Sequence, residues 1–328
     1  MPARPEWWAA ARTAAQRYGP PVLIGLAAIP SAIRVVGDHD LPWPIMVVTF
    51  VPQAALALVP LTALAFVLRR WRAGAVGAVL VGLNAIWLAP LYVAETPPAG
   101  TDLVAMTINM QYGWGDPARI TDQVRARHVD VLGVTELTPE AVTKLGAAGL
   151  DQQLPYHVLA PDGDANGSGL WARFPLTPAE EWDGVHRWPG ATMRFTDRDG
   201  RARDIDVRVV HPYRTGRFTA ATYRRDQSRL RERLDALPDV PVLVLGDFNA
   251  TRDHAAFRRL LGNRWRDAPE YAGSGFVRTW SPRYWIPHLV QLDHILISHQ
   301  FGARSTVTFG VHGSDHGALV ARLVLSDV

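Results

Sequence analysis

The chain has no cysteine in its 328 residues, which excludes disulfides, thiolate metal sites and a cysteine nucleophile. That absence fits reducing and oxidising compartments equally and says nothing of location. No internal repeat or low-complexity tract is present. Charge is scarce before about position 95, where Ala, Leu, Val and Pro dominate. From Thr101 onward, charged residues are scattered among short apolar runs, as in a soluble globular domain. The hydrophobic share of 48% therefore averages over two different solvents. The second part, roughly 225 residues, is long enough to bury a substantial core. The net charge is +3, and much of the positive charge is arginine. Arg198, Arg201 and Arg203, and the run Arg224, Arg225, Arg229, Arg231 and Arg233, read either as solvated faces or as attraction to anionic lipid or nucleic acid.

Three apolar segments lie in the first part. Pro21 to Val36 is short and interrupted by Pro30 and Arg34; Leu41 to Leu68 is long enough to cross a hydrocarbon core with tilt; Ala75 to Val93 has about the length of a spanning helix. Pro52 and Pro60 are better tolerated in a membrane helix than in a soluble one. Arg12 and Arg17 suit a signal sequence, but no small-residue cleavage site follows, so a signal anchor is expected. Two or three spans result. Arg69, Arg70 and Arg72 separate the second and third segments, and Arg4, Arg12 and Arg17 precede the first. The loop holding Asp38, His39 and Asp40 has no basic residue. Together these flanks place the N-terminus inside and everything after Val93 outside. The expected organisation is a membrane anchor over 1–95, a linker over 96–100 containing Pro97 and Pro98, and a catalytic domain over 101–328.

The second part alternates short apolar runs with helical stretches. Strands are expected at Asp102–Asn109, Asp130–Val134, Tyr156–Ala160, Gly169–Arg173, Asp204–Val210, Pro241–Leu245, Gln291–Ser298 and Ala318–Leu325, with Thr306–Phe309 as a further candidate. Helices are expected after the Asp116-Pro117 cap, over Leu137–Leu150 and Thr219–Leu237, and from Asp253 to Leu261. Several strands follow one another without a helix between them. This argues against a doubly wound parallel sheet and for an α+β fold, a two-layer β-sandwich flanked by helices.

Polar residues recur where these strands end: Asn109, Glu136, His211, Asp247, Asn249, Asp293, Asp315 and His316. Carboxylates, amides and imidazoles without a thiol suit a hard oxygen-ligated cation and a phosphate ester. A histidine held by an aspartate can then activate water. Of the four Asp-His dipeptides, Asp38-His39 and Asp253-His254 read as incidental. In the third, Asp293 is the expected site residue, because His294 points to the opposite face of a regular strand.

The stretches TINMQYG (107–113), VLGVTEL (131–137), VVHPYRTG (209–216), VLVLGDFNAT (242–251), QLDHILIS (291–298) and GSDHGALVARL (313–323) resemble, in order, the endonuclease/exonuclease/phosphatase superfamily with its DNase I-like fold. The resemblance implies Mg²⁺, with Mn²⁺ as an alternative, and one metal ion per site. It implies Glu136 as the principal metal carboxylate, Asp315 reaching the same metal, and Asn109 orienting metal or phosphate. Asp247 and Asn249 match the pair that positions water and the phosphoryl group. His316 matches a catalytic base or phosphate-stabilising imidazole, with Asp293 fixing its tautomer. His211 matches a donor to the phosphate or leaving group. Thr135 stands where much of the superfamily has Gln, and no second clear carboxylate follows Asn109. Arg173, Tyr213 and Arg214 are either phosphate contacts or ordinary surface residues.

The layout of spans followed by an external catalytic domain is similar to membrane-anchored members tied to teicoplanin-type glycopeptide resistance in actinobacteria. That implies a phosphorylated or pyrophosphorylated lipid substrate at the bilayer, such as undecaprenyl pyrophosphate. The aromatic stretch Trp280, Tyr284, Trp285 and Ile286 suits a membrane interface or a core. A tethered extracellular nuclease is the alternative, although no extended basic and aromatic stretch tracks a nucleic-acid backbone. A catalytically inactive scaffold is a third reading, and retention of the full acidic and imidazole set argues against it.

Overall fold

The computed structural model describes residues 6–37, 41–197, 200–216, 218–283 and 285–327. Arg4, Asp38, His39, Asp40, Arg198 and Tyr284, named above, lie outside the described residues. The chain divides into two compact units, Met1–Ala89 with Asp253–Ala255, and Pro90–Arg252 with Ala256–Val328.

The first unit contains α1 (Glu6–Val36), α2 (Pro42–Val48), α3 (Val51–Val67) and α4 (Trp71–Leu88). Thr13–Val36 and Trp71–Tyr92 are long and apolar enough to cross a membrane. The first apolar segment is thus longer than its sequence pattern suggested, because α1 continues N-terminally through Pro20 and Pro21. The second segment is not one straight helix. α2 and α3 meet at a 63° bend and make a third span only when taken together. Pro52 falls in the first turn of α3, where its missing N–H has no helical partner to lose, so the helix restarts there. Val22, Leu26, Leu56, Val59, Val79 and Ile86 are exposed, an outward apolar surface suited to hydrocarbon. Gly74 and Gly77 of α4 let Phe66 and Thr62 of α3 approach closely.

The second unit runs, in chain order, β1 (Gly100–Asn109), α5 (Pro117–Arg127), β2 (Val131–Thr135), α6 (Pro139–Ala147), α7 (Leu150–Gln153), β3 (Tyr156–Ala160), β4 (Ser168–Ala172), β5 (Leu176–Pro178), β6 (Trp182–Asp183), β7 (Arg187–Trp188), β8 (Gly190–Thr196), β9 (Ala202–Val210), α8 (Ala220–Asp235), β10 (Val242–Asp247), α9 (Ala255–Leu261), β11 (Arg266–Asp267), α10 (Ala268–Tyr271), β12 (Asp293–Ile297), β13 (Phe301–Gly310) and β14 (Gly317–Ser326). One six-stranded sheet has the order β13-β14-β1-β2-β4-β3, the other β11-β12-β10-β9-β8-β5. Each has one parallel pair, β1 with β2 and β10 with β9, among antiparallel neighbours.

Strand alternation builds the layers. Leu103, Ala105, Leu243 and Leu245 point between the sheets, where they meet Val131, Val207, Ile295, Ala321 and Leu323 in one core. The alternate residues face outward. Met106, Ile108, Leu132 and Val134 pack on Ile120 and Val124 of α5 and Leu145 of α6. Val242 and Val244 pack on Leu230 and Leu234 of α8 and Phe257 of α9. The expected α+β sandwich with helices on its outer faces is the fold observed.

Several local expectations change. The stretch expected as one helix over 137–150 is two, α6 and α7, parted at Gly149 with φ +88°. β5, β6, β7, β8 and β11 are absent from the sequence reading; four of these five have only two or three residues, too few for an alternation to register. Thr306–Phe309 belongs to the ten-residue β13, whose pattern is interrupted by a bulge between Ala303 and Ser305. In the arginine run of α8, Arg231 pairs with Asp235 and Arg233 with Asp183, as on a solvated face.

Gly133 of β2 marks a close approach of the sheets. A Cβ there would lie 2.9 Å from Leu245 Cβ and 3.3 Å from Val209 Cγ2. Gly133→Val is expected to destabilise the protein by about 1–3 kcal/mol through overpacking. Thermal denaturation of the detergent-solubilised chain checks this, and an unchanged Tm would show that the sheets can part there.

Candidate active site

The two parallel strand pairs bring their C-terminal ends to one rim. Asn109 ends β1, Glu136 follows β2, His211 follows β9 and Asp247 ends β10. Three further residues arrive differently. Asp293 opens β12, and Asp315 and His316 immediately precede β14. They reach the rim because these strands run antiparallel to β10 and β1. The reading that every site residue sits at a strand's end is corrected here: antiparallel pairing places the start of one strand beside the end of the next.

Asn109 links the sheets. Its Nδ2 donates to Glu136 Oε1 at 2.9 Å and to Asp247 Oδ2 at 3.0 Å, and its Oδ1 accepts from Gln111 N at 2.8 Å. Glu136 Oε2 accepts from Tyr112 N at 2.8 Å. Asp247 Oδ1 accepts from Asn249 N at 2.8 Å, and the Asn249 amide donates to Pro212 O at 3.0 Å. His316 Nδ1 donates to Asp293 Oδ2 at 2.7 Å, which turns its Nε2 towards Asp247 Oδ2 at 3.6 Å and Asp315 Oδ1 at 4.0 Å. His211 Nε2 approaches the same Asp247 oxygen at 3.6 Å. All eight expected residues therefore meet at one rim. His294 points into the outer layer, between Asp267 and the Ala250 carbonyl.

Arg173 does not join them. It pairs with Asp130 at the far end of β2 from Glu136. Arg214 is exposed and makes no ion pair with a rim carboxylate among the described residues, and Tyr213 lies by His186. Other contributors escaped the sequence reading. Ser314 Oγ donates to Asn109 O and accepts from His316 N; Thr279 Oγ1 accepts from Asp293 N; the Trp280 indole donates to Asp315 Oδ2. Trp280 thus serves the site, while Trp285 is exposed. His186 stacks on His211. Such hydroxyl and ring contacts have no sequence spacing that would reveal them; only the SDH triplet hinted at Ser314.

Charge is concentrated. Burial works against a charged His316, but Asp293 and Asp247, the Asp293 hydrogen bond and then Asp315 outweigh it and raise its pKa to about 10. Burial raises Asp247 to about 7, opposed by His316 and reinforced by Asp293. Burial, then the neighbouring His186 and His316, hold His211 well below the ordinary histidine range, so it is neutral.

The donor set fits a hard divalent cation. Glu136, Asp247, Asp293 and Asp315 gather at the rim, and among the described residues no Lys or Arg pairs with any of them. Asp293 Oδ1 is buried without a hydrogen-bond partner. Atoms of Asp247, Asp293 and His316 lie within 4.8 Å of one another. His316 Nδ1 and Asp293 Oδ2 are engaged with each other at 2.7 Å, while the second Asp293 oxygen, Asp247, Glu136 and Asp315 supply further oxygen donors at the rim.

A pH test follows for the protein in EDTA. His316 has a folded pKa above its unfolded value of about 6.5, so the stability it contributes is full below that value and lost as pH rises through about 10. Asp293→Asn removes its main source. The parent should be more stable than Asp293→Asn at pH 7, with the gap narrowing towards pH 10 in thermal denaturation. A gap independent of pH would overturn the assignment of this ion pair.

The profile of the Endonuclease/Exonuclease/phosphatase family matches residues 106–316. A comparison with curated proteins returns no match. Among solved structures, a D. rerio TDP2 humanized by 14 mutations has a TM-score of 0.56 at 17% identity, covering 68% of this chain and 98% of its own. The endonuclease/exonuclease/phosphatase from Beutenbergia cavernae DSM 12333 has a TM-score of 0.52 at 19% identity, covering 69% and 72%. D. rerio TDP2 complexed with single strand DNA product has a TM-score of 0.51 at 17% identity, covering 68% and 98%. At these identities the likeness shows the fold alone. The family match covers more than half of the chain and every rim residue, and the chain belongs to the endonuclease/exonuclease/phosphatase family as a phosphoester hydrolase.

Proposed function

We propose that the chain is a membrane-anchored, divalent-metal-dependent phosphohydrolase whose substrate is a phosphorylated or pyrophosphorylated lipid of the cell envelope. The observation that carries the chemistry is the gathering of four carboxylates with no Lys or Arg partner among the described residues. The two or three apolar helices support the substrate class, because a tethered hydrolase meets lipid headgroups at high local concentration.

Glu136 and Asp315 would hold the cation, and Asn109 orients Glu136 against Asp247. The cation, when bound, polarises a phosphoryl oxygen. Asp247, raised into the neutral range, accepts the proton of the attacking water, and Asn249 positions that water and the phosphoryl group. His316, charged through Asp293, stabilises negative charge on the phosphate; this favours the second of the two roles expected for it. Neutral His211 donates a hydrogen bond to the phosphate or leaving group.

Activity should vanish in EDTA and return with Mg²⁺ or Mn²⁺, and Glu136→Ala should lower kcat by about a hundredfold or more. The assay is phosphate release from undecaprenyl pyrophosphate by the detergent-solubilised chain, with single- and double-stranded DNA run in parallel on a gel. Chelator-resistant turnover would overturn the metal chemistry. Cut DNA with intact lipid would make the protein a tethered phosphodiesterase, the reading suggested by its likeness to TDP2 complexed with single strand DNA product.

Arg69 and Arg70 between α3 and α4, and Arg72 in the first turn of α4, support a catalytic domain on the outer side. An enzymatic reporter that works only outside the cytoplasm, fused at the C-terminus, is expected to be active. Activity from a cytoplasm-only reporter would reverse the orientation.

A further inference from the structure

His186 lies in the connection between β6 and β7, in the sequence WDGVHRW, and has no place in the catalytic roles above. It is buried. Its Nδ1 is 2.8 Å from the backbone oxygen of His211 and donates to it, because a carbonyl can only accept. Its ring lies over the His211 ring with centroids 4.2 Å apart and planes at 34°. Tyr213 packs against His186 at 5.3 Å.

His211 needs such support. A functional histidine is ordinarily oriented by a hydrogen bond to its second nitrogen, yet His211 Nδ1 is buried without a hydrogen-bond partner. Its Nε2 is 3.6 Å from Asp247 Oδ2, beyond hydrogen-bond range. The Ala165 backbone bears on the imidazole without a hydrogen bond in range at Nδ1, so packing against the ring's faces adds to its support.

We propose that His186 is a positioning residue for His211, holding the backbone through its Nδ1 and the imidazole through the ring stack. The assignment rests on the proposed role of His211 at the phosphate. The support is itself anchored. Asp226 of α8 accepts from Val185 N at 3.3 Å and from Tyr213 N at 3.0 Å, so one buried carboxylate ties down the chain beside both His186 and His211. Arg187 N donates to Asn166 O at 2.8 Å, fixing the other side of His186. The ring of His186 makes no hydrogen bond to a rim carboxylate among the described residues, which separates positioning from catalysis.

The test is a double-mutant cycle on the full chain in detergent with Mg²⁺, using bis-p-nitrophenyl phosphate and p-nitrophenyl phosphate as probes and Glu136→Ala as the blank. His186→Asn keeps a donor near the Nδ1 position and loses most of the stack; His186→Phe keeps the stack and loses the donor. Each should lower kcat, His186→Asn by about tenfold, with KM changed by less than about twofold. In the His211→Ala background, His186→Asn should change kcat by less than about twofold, because there is no imidazole left to position. An unchanged kcat in both variants, or an equal fold-loss in the two backgrounds, would overturn the proposal. If the parent shows no turnover above Glu136→Ala, it is the phosphohydrolase reading that fails. The same cycle read in thermal stability then decides the contact: non-additive Tm shifts support it, and additive shifts overturn it.

Discussion

One amide nitrogen holds the site together. Asn109 Nδ2 donates one hydrogen to Glu136 and the other to Asp247, and these carboxylates come from different sheets. Two like charges brought to a shared neighbour repel strongly where water is partly excluded. An amide offsets some of that repulsion through two hydrogen bonds, but supplies no charge. Part of the remaining imbalance is met by the imidazolium of His316. This arrangement depends on the register of β1 against β2 and of β10 against β9, and on the close sheet contact at Gly133. A shift of either sheet would separate the two acceptors.

The backbone around that amide is strained in a consistent pattern. Gln111, Tyr112, Glu136 and Asn249 all have positive φ, between 45° and 55°. Asparagine tolerates this conformation; for the others it costs about 1–3 kcal/mol each. Each is held by contacts the fold supplies. Leu137 N donates to Gly167 O, Met110 N donates to Thr135 O, and the N–H groups of Gln111 and Tyr112 donate to Asn109 and Glu136. The left-handed turn at 111–113 is what points those two N–H groups at the carboxylate and amide. Strain here is coupled to function through orientation: the residues that depart from ordinary backbone geometry are those that aim polar atoms into the rim.

What was legible in the sequence follows from the same distinction. The long strands β1, β9 and β14 and the motifs at the rim could be read, because alternation and short polar signatures are local. GDFN announced Asp247 and Asn249, and the period-two argument separated Asp293 from His294. The rest required three dimensions. Strands of two or three residues carry no period. The bend between α2 and α3 lies in a run whose hydropathy never falters, so composition alone read it as continuous. His186 and Thr279 matter through contacts with residues 25 and 14 positions away, and nothing in their immediate neighbours marks them; the aromatic stretch marks Trp280 but not its bond to Asp315, 35 positions on.

The two units are held together internally by different physics. In the second, burial of apolar side chains between and outside the sheets dominates. The first has helices long and apolar enough to cross a membrane, and with hydrocarbon outside them hydrophobic burial would distinguish little. Specific contacts must do more. Asn84 of α4 donates to Ser31 Oγ of α1 at 2.9 Å, and the guanidinium of Arg34 lies 4.6 Å over the Trp87 ring about one turn further along. Gly74 and Gly77 bring α4 against α3. These polar and small-residue contacts give the helices a defined packing, Asn84 through Ser31 and Arg34 through a buried ion pair with Asp253 as well as the Trp87 ring. A polar group unpaired in hydrocarbon is costly enough that each such pair specifies its neighbour.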